Sequence, residues 1–215
     1  MIDIYKNSQY QKYYELLVLE NKKYNLTSII EKDQVYVKHF EDSLKVGEVI
    51  ELNSQTICDV GSGAGFPGIV LKIAYPGIKL TIIEPTSKRC RFMQLLVDEL
   101  GIKDVEIINE RAENIRNRQF DIVVARAVSP MPILLELCIP LVKVQGYFIA
   151  MKGNNYKVEL EKAQNALKCL NSEVTKVMEY DLGEYGTHSL IKVLKKSKTA
   201  DDYPRIYGII KKKPL

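Results

Sequence analysis

The segment ICDVGSGAGFPGI has an acidic residue and three glycines at every second position: Asp59, Gly61, Gly63 and Gly65. A strand-like apolar run precedes them and a helical pattern begins at Pro67, so the glycines are predicted to form a turn between a strand and a helix. Glycine permits positive φ and lets a ligand approach the backbone, and a helix N-terminus offers free N–H groups. The segment therefore predicts a binding site for a ligand that is negatively charged or rich in oxygen atoms.

Two classes of cofactor use a turn of this kind. The segment GAGFPG satisfies the G-x-G-x-x-G fingerprint of dinucleotide-binding proteins, which indicates NAD. That fingerprint starts directly after its strand, whereas Gly61 and Ser62 intervene here. Asp59 suits a cationic ammonium, such as the methionine end of S-adenosylmethionine (AdoMet), and would repel a pyrophosphate. The spacing favours AdoMet over NAD, and over a structural turn that binds no ligand.

A second carboxylate, Glu84, ends the next predicted strand, 23 positions after Gly61. A carboxylate at this position can accept hydrogen bonds from both ribose hydroxyls of an adenosyl group, in AdoMet and NAD alike. Its alternative role is that of an acidic residue at the start of the helix that follows. Phe66, inside the turn, is either a core residue or an apolar wall for the cofactor.

Two later loops add candidates whose roles depend on the fold. Ala112 and Glu113 follow a strand in NERAENI, where a backbone N–H and a side-chain acceptor can read an adenine ring. Arg126 comes directly after the strand FDIVVA. Arginine cannot act as a base, but it can hydrogen-bond a guanine edge or a phosphate. A salt bridge to Asp121 or Glu84 is the alternative role of Arg126.

The elements that must position these residues alternate along the chain from residue 56. Strands are predicted at 56–60, 79–84, 104–109, 120–125, 144–151, 173–182 and 187–196, and helices at 67–75, 87–100, 131–141 and 156–170. Nearly continuous apolar strands separated by helices are typical of a parallel sheet covered on both faces. The short link GEYG before the last strand predicts a C-terminal antiparallel hairpin. The predicted fold is α/β and Rossmann-like, and its seven-stranded, mostly parallel sheet with a C-terminal hairpin resembles that of the class I AdoMet methyltransferases.

We expect three segments along the chain. Residues 1–55 have helical patterns and form an N-terminal extension that packs on the sheet domain. Residues 56–198 form the methyltransferase domain. Residues 199–215 are predicted to be a basic tail that is extended or loosely docked.

The composition, 46% hydrophobic and 27% charged residues in a chain of 215, is that of an ordinary globular protein and excludes a disordered or coiled-coil chain. No apolar run is long enough to cross a membrane and the N-terminus is too polar for a signal peptide, so we expect a cytoplasmic protein. The cysteines lack a C-x-x-C pair, which favours buried free thiols over a zinc site or disulfides: Cys58, Cys90, Cys138 and Cys169.

The net charge of +4 is unevenly distributed along the chain. Counting Lys and Arg against Asp and Glu gives −2 for residues 1–55, +1 for residues 56–150 and +5 for residues 151–215. A basic C-terminal end is compatible with a polyanionic partner and equally with a solvated surface.

A set of motifs, in order from residue 25 to the C-terminus, resembles one known family. They are NLTSI (25–29), HFEDSL (39–44), DVGSGAGFPGI (59–69), KRCRFM (88–93), ARAVS (125–129), MKG (151–153), THSLIKV (187–193) and the ending YPR…KKKPL. Together they resemble the bacterial small-subunit ribosomal RNA guanine-N7 methyltransferases, also known as glucose-inhibited division protein B.

The resemblance implies AdoMet-dependent methylation of N7 of one guanine, number 527, in 16S ribosomal RNA. The implied partner is 16S rRNA or the 30S subunit, without DNA or a membrane, and we expect a monomer. The family's AdoMet contacts fall on Gly61, Phe66, Ala112, Glu113 and Arg126. The family often has Asp-Ser where this chain has Glu84 and Pro85, so the longer side chain changes the expected ribose contact.

Guanine N7 has a lone pair and no proton, so direct in-line methyl transfer needs no general base, and Arg126 is the predicted catalytic residue. The candidates for RNA docking are basic or imidazole side chains: His39, Lys88, Arg89, Arg91, Lys152, Arg205 and residues 211–213. A solvated helix face is the alternative for KRCR, and a structural role is the alternative for His39. An NAD-dependent oxidoreductase and a non-catalytic, nucleotide-sensing RNA-binding protein are the rival functions.

Overall fold

The computed structural model describes residues 3–215. The chain divides into two compact units, Met1–Glu110 and Arg111–Leu215. Among the described residues, no helix is both long enough and apolar enough to span a membrane.

The first unit begins with helices. Helix α1 spans Ser8–Tyr24, and the side chain of Asn7 caps it by accepting a hydrogen bond from the N–H of Gln9 at 2.8 Å. One face of α1 is buried, and its residues follow helical spacing: Tyr10, Tyr13 and Leu17. The helical elements between α1 and the first strand are α2 (Lys32–Val35), a π-helical stretch (Tyr36–Glu41), α3 (Asp42–Leu44) and a 3₁₀ helix (Lys45–Glu48). The predicted helical character of this region is confirmed.

Three parallel strands follow in the first unit, in the order β3-β2-β1. They are β1 (Thr56–Val60), β2 (Lys79–Ile83) and β3 (Val105–Ile108), with α4 (Gly68–Ala74) and α5 (Ser87–Glu99) between them. Val60 pairs with Ile83, and Ile83 pairs with Ile108. The carboxyl ends of the three strands therefore lie at one edge of this part of the sheet.

The second unit carries four strands in the order β4-β5-β7-β6. They are β4 (Phe120–Arg126), β5 (Val142–Lys152), β6 (Ser172–Asp181) and β7 (Thr187–Lys195). Strands β4 and β5 are parallel, whereas β7 is antiparallel to both β5 and β6. Arg126 pairs with Met151, and Lys152 pairs with Ser189, so the ends of β4 and β5 and the start of β7 share an edge.

The helices of the second unit are α6 (Met131–Cys138), α7 (Tyr156–Lys162), α8 (Gln164–Cys169) and α9 (Tyr207–Lys212), with 3₁₀ helices at Ala112–Asn114, Ile139–Leu141 and Gly183–Tyr185. The predicted seven strands, parallel until a C-terminal hairpin, are all present, and the predicted fold class is confirmed.

Two expectations about the second unit are wrong. The helix predicted at 156–170 is two helices, because the chain leaves regular helix at Ala163 between α7 and α8. The C-terminal segment is not simply an extended or loosely docked arm. It forms α9, and Arg205 binds the buried carboxylate of Glu136 with a 2.6 Å contact between Nη2 and Oε2. The division at 55/56 and 198/199 stays a prediction.

The four cysteines are free thiols, and three of them, Cys58, Cys90 and Cys138, are buried as predicted. Cys169 is half-buried instead. Burial, together with the negative charge of Glu84, raises the pKa of the Cys90 thiol. The thiol group of Cys90 is therefore a packing group that stays protonated.

Candidate functional site

The glycine-rich turn joins β1 to α4 in the first unit. Its three glycines have positive φ: 72° at Gly61, 61° at Gly63 and 102° at Gly65. Residues with a side chain are strained in this region, so the turn requires glycine. A Cβ atom added to Gly63 would meet no atom within 4 Å. The backbone of Gly63 thus faces open space, and the ligand that the sequence predicts there stays a prediction.

The carboxylate of Asp59 holds this turn from inside the fold. Asp59 is fully buried, and its Oδ2 accepts hydrogen bonds from the hydroxyl of Ser62 at 2.5 Å and the N–H of Gly68 at 2.8 Å. A Cβ atom on Gly68 would lie 2.7 Å from the same oxygen, which explains the glycine there. Asp59 therefore stabilises the path from β1 into α4, and its predicted contact with the cationic end of AdoMet stays a prediction.

The carboxylate of Glu84, just beyond β2, contacts the same turn. The residue is 1% exposed, its Oε2 accepts from the N–H of Gly63 at 3.0 Å, and its Oε1 accepts from the N–H of Thr86 at 3.0 Å. The guanidinium of Arg89 lies 3.7 Å from Oε1. The helix-start role that the sequence offered for Glu84 is real, and the carboxylate also holds the backbone of Gly63. The ribose contact stays a prediction.

Phe66 belongs to an aromatic cluster that the N-terminal helices build around the turn. Its ring stacks on Tyr13, with centroids 5.4 Å apart and planes at 9°, and on His39, at 4.4 Å and 28°. His39 is 8% exposed, and its Nε2 lies 3.3 Å from the hydroxyl oxygen of Thr27. These contacts give Phe66 and His39 structural roles. The apolar wall for AdoMet and the RNA contact stay predictions.

Tyr13, on the buried face of α1, makes a polar contact that the sequence did not predict. Tyr13 is fully buried, and its hydroxyl donates a hydrogen bond to the carbonyl of Ala64 at 2.7 Å. The two residues are 51 positions apart, so no local pattern could have found the pair. The available signal was a tyrosine on a buried helix face, because a buried tyrosine hydroxyl requires a partner.

In the second unit, Ala112 and Glu113 begin a 3₁₀ helix and are both buried. The guanidinium of Arg111 lies 3.8 Å from the carboxylate of Glu113. Arg126 is the last residue of β4, and Ala127 directly after it has a positive φ of 53°. The structure therefore places Arg126 at the strand end, where the sequence predicted it, with a sharp change of chain direction after it.

Lys152 forms a hydrogen bond with the loop that follows β4. Its ammonium donates to the carbonyl of Ser129 at 2.9 Å and pairs with Glu159 at 2.6 Å, and its side chain is only 7% exposed. Glu159 also accepts a hydrogen bond from the N–H of Met131 at 2.8 Å. Sequence reasoning missed Glu159, since its partners lie on other elements. The predicted RNA contact of Lys152 stays a prediction.

The other candidates for RNA docking differ in accessibility. Lys88 and Arg91 are exposed on α5, and residues 211–213 are exposed as well. Arg205 is held by Glu136, whose carboxylate accepts from the Arg205 side chain and backbone and raises the pKa of the guanidinium. The geometry gives Arg205 the role of anchoring the C-terminal segment.

Comparison with known proteins decides between the functional alternatives. A family model described as rRNA small subunit methyltransferase G matches residues 6–185. The chain belongs to this family. A relative with that name from Staphylococcus carnosus is 44% identical over 98% of this chain and 91% of the relative. One from Geobacillus thermodenitrificans is 44% identical over 97% and 90%.

Family membership makes the protein an AdoMet-dependent rRNA methyltransferase, as the resemblance implied. The NAD-dependent oxidoreductase and the non-catalytic RNA-binding protein are thereby set aside.

Solved structures support the fold. A ribosomal protein L11 methylase from Lactobacillus delbrueckii subsp. bulgaricus has a TM-score of 0.59 at 19% identity, over 74% of this chain and 79% of that chain. A SAM-dependent methyltransferase from Aquifex aeolicus has a TM-score of 0.57 at 18% identity, over 74% and 93%. At these identities the likeness shows the fold alone.

Proposed function

We propose that the protein transfers the methyl group of AdoMet to N7 of guanine 527 in 16S rRNA. The observation that carries the proposal is the turn at Gly63, whose backbone is open to a ligand and is held by the buried carboxylates of Asp59 and Glu84. Such a backbone cradle suits a ligand that must lie directly on the main chain. The family match supports AdoMet as that ligand.

We assign the cofactor contacts of the first unit to its turn and to the strand ends beside it: Asp59, Gly61, Gly63, Gly65, Phe66 and Glu84. In the second unit, the resemblance supports Ala112 and Glu113 as adenine contacts and Arg126 as a contact at the reacting groups. Bound AdoMet supplies an electrophilic methyl group on a sulfonium sulfur.

The target atom requires no general base. The lone pair of guanine N7 forms the new N–C bond while the S–C bond breaks and its electron pair stays on sulfur. The sequence agrees, because the last residue of β4 and the four residues after it, RAVSP (126–130), include no carboxylate or imidazole. The task of the protein is then to orient the base and exclude water. Arg126 can donate to O6 of the guanine and leave N7 free.

The partner that we propose is the RNA of the small ribosomal subunit, either alone or in the 30S particle, in the cytoplasm. Phosphate contacts by exposed cations supply affinity that is independent of sequence. Lys88, Arg91 and residues 211–213 are exposed and suit this role. We also propose a monomeric enzyme, and the division into an N-terminal extension, a methyltransferase domain and a C-terminal tail.

The proposal is tested by incubating the protein with labelled AdoMet and with small ribosomal subunits that lack the modification, and by measuring methyl transfer. The matched control is a subunit in which guanine 527 is replaced by adenine. We expect one methyl group per unmodified subunit, mapped to 7-methylguanosine at 527, and no label in the control. Equal labelling of the control would refute the position, and another methylated atom at 527 would refute N7. Naked 16S rRNA in parallel shows whether the RNA alone is sufficient.

A further inference from the structure

The hydrogen bond between Tyr13 and Ala64 connects the N-terminal helix α1 to the glycine turn. Both Tyr13 and Ala64 are buried, and the two oxygen atoms are 2.7 Å apart. The Tyr13 ring also stacks on Phe66, in the same turn. A Cβ atom on Gly65 would collide with the Tyr13 hydroxyl, so glycine at 65 makes room for this contact.

The accepting carbonyl belongs to a peptide group that is easily reoriented. Ala64 lies between Gly63 and Gly65, with φ values of 61° and 102°. Glycine populates several regions of φ and ψ, so the peptide plane between residues 64 and 65 can rotate at low cost unless it is held. The N–H of that peptide donates to the carbonyl of Ser62 at 3.0 Å, and its C=O accepts from Tyr13. Both ends of the peptide plane are therefore fixed.

We propose that Tyr13 is a positioning residue of the AdoMet site. Its hydroxyl keeps the peptide between residues 64 and 65 in the orientation that leaves the backbone of Gly63 open to the cofactor. The inference rests on the binding of AdoMet at the glycine turn. Under this proposal, helix α1 contributes to cofactor binding, although it ends more than 30 residues before the first strand.

The chain offers a matched control three residues earlier on the same helix. Tyr10 is also fully buried, and its hydroxyl donates to the carbonyl of Val70 at 3.0 Å. Val70 lies inside α4 and outside the glycine turn. The variants Tyr10→Phe and Tyr13→Phe thus remove the same group from the same helix face, and each removes one buried hydrogen bond to a backbone carbonyl.

The test compares the wild type, Tyr13→Phe and Tyr10→Phe as full chains. We would measure the AdoMet Kd by calorimetry, a melting curve, and single-turnover methyl transfer to small subunits at saturating AdoMet. We expect Tyr13→Phe to raise the Kd about tenfold, the effect of losing one buried hydrogen bond. We expect its rate at saturating AdoMet to stay within about twofold of wild type, because the reacting groups are unchanged.

Both variants are expected to melt at a lower temperature than wild type, because each loses a buried hydrogen bond. Tyr10→Phe, however, is expected to keep an AdoMet Kd within about twofold of wild type. Exchange of the Gly65 amide hydrogen gives a second readout, which should be faster in Tyr13→Phe only. Wild-type affinity in Tyr13→Phe, or equal weakening in both variants, would overturn the role of Tyr13. If wild type itself failed to bind AdoMet, the cofactor site at the turn would be overturned, which is a different result.

Discussion

The N–H of Gly63 donates a hydrogen bond to Oε2 of Glu84, 3.0 Å away. The donor lies in the turn after β1 and the acceptor lies just after β2, so the contact joins the ends of two parallel strands. The second oxygen of the same carboxylate accepts from Thr86 at the start of α5. One buried side chain thus sets the positions of the glycine turn and of the next helix relative to each other.

Replacing Glu84 with Gln tests this contact and its proposed role in holding the ribose. Gln keeps the size of the side chain, but its amide has one acceptor oxygen where the carboxylate has two, and it has no charge. We expect the AdoMet Kd to rise at least tenfold and the free energy of unfolding to fall by about 1–3 kcal/mol. Calorimetry and urea unfolding measure the two effects.

Glu106→Gln is the control for removing a carboxylate, since Glu106 is exposed on the neighbouring strand β3. We expect no change in AdoMet affinity for this variant. Unchanged affinity in Glu84→Gln as well would remove Glu84 from the proposed cofactor contacts.

Gly63→Ala tests whether the open space at the turn holds the cofactor. The added methyl group meets no protein atom, so the cost to the folded state is the positive φ alone, about 1–2 kcal/mol. Gly101 is a close match, with φ of 62° and no atom within 4 Å of an added Cβ. Both alanine variants should lose similar stability in urea unfolding, and only Gly63→Ala should lose AdoMet binding. Equal AdoMet affinity in the two variants would contradict the assignment.

Asp59→Asn tests the carboxylate that holds the turn from inside. Two donors, the hydroxyl of Ser62 and the N–H of Gly68, point to the same oxygen. Hydrogen bonds to a charged acceptor contribute about 1.5–3 kcal/mol, so the loss of charge should weaken AdoMet binding and lower stability together. Ser62→Ala removes only one of the two donors and should have the smaller effect on both. A normal Kd and a normal melting curve for Asp59→Asn would argue against this role.

The residues that sequence reasoning placed correctly are those with local signals. Apolar, β-branched runs precede Asp59 in β1, Glu84 just after β2 and Arg126 at the end of β4, and closely spaced glycines encode the turn. These signals lie within a few residues of the positions that they predict. They were sufficient for the fold class and for the location of the glycine turn.

The contacts that sequence reasoning missed join distant parts of the chain. Tyr13 and Ala64 are 51 residues apart, and Arg205 and Glu136 are 69 apart. Neither pair affects a helical or strand period, so the sequence predicts an extended or loosely docked tail and gives no sign of the polar contact of Tyr13. Such contacts form only when tertiary packing brings two elements together.

Because the side chain of Lys195 is buried, we expect the free energy of unfolding to depend on pH. Its ammonium is fully buried and donates to the carbonyl of Val142 at 2.8 Å, and burial lowers its pKa to about 8. Since the ordinary lysine pKa is about 10.4, the unfolded chain binds more protons than the folded chain between these values. The free energy of unfolding should therefore rise with pH from about 8 to about 10, by at most about 1.4 kcal/mol per unit.

Urea unfolding at pH 7.5, 8.5 and 9.5 checks this slope in wild type and in Lys195→Met. The difference in stability between them should shift in favour of wild type as the pH rises, because the variant lacks the titrating group. Lys196→Met changes the next residue, which is exposed and pairs with Glu173 at 3.3 Å, and should keep the wild-type slope. A slope that survives in Lys195→Met would assign the effect to other groups.

Arg126→Ala separates a structural role from a role at the reacting groups. Arg126 ends β4, and Ala127 with its positive φ turns the chain away directly after it. If the guanidinium only stabilises the fold, the variant should melt at a lower temperature and the folded enzyme should transfer methyl groups at the wild-type rate. If it positions guanine or AdoMet, the variant should melt close to wild type and lose methyl transfer.

Single-turnover methyl transfer at saturating AdoMet and RNA, beside a melting curve, distinguishes these outcomes. A contact made chiefly in the transition state lowers kcat and kcat/KM equally, whereas a ground-state RNA contact raises KM alone. Arg118→Ala is the control, because Arg118 precedes the opposite end of β4 and lies over the ring of Phe120. We expect Arg118→Ala to keep its rate and Arg126→Ala to lose at least tenfold, the effect of one charge-assisted hydrogen bond. Wild-type rates in folded Arg126→Ala would remove Arg126 from the site and leave orientation of the guanine to other residues.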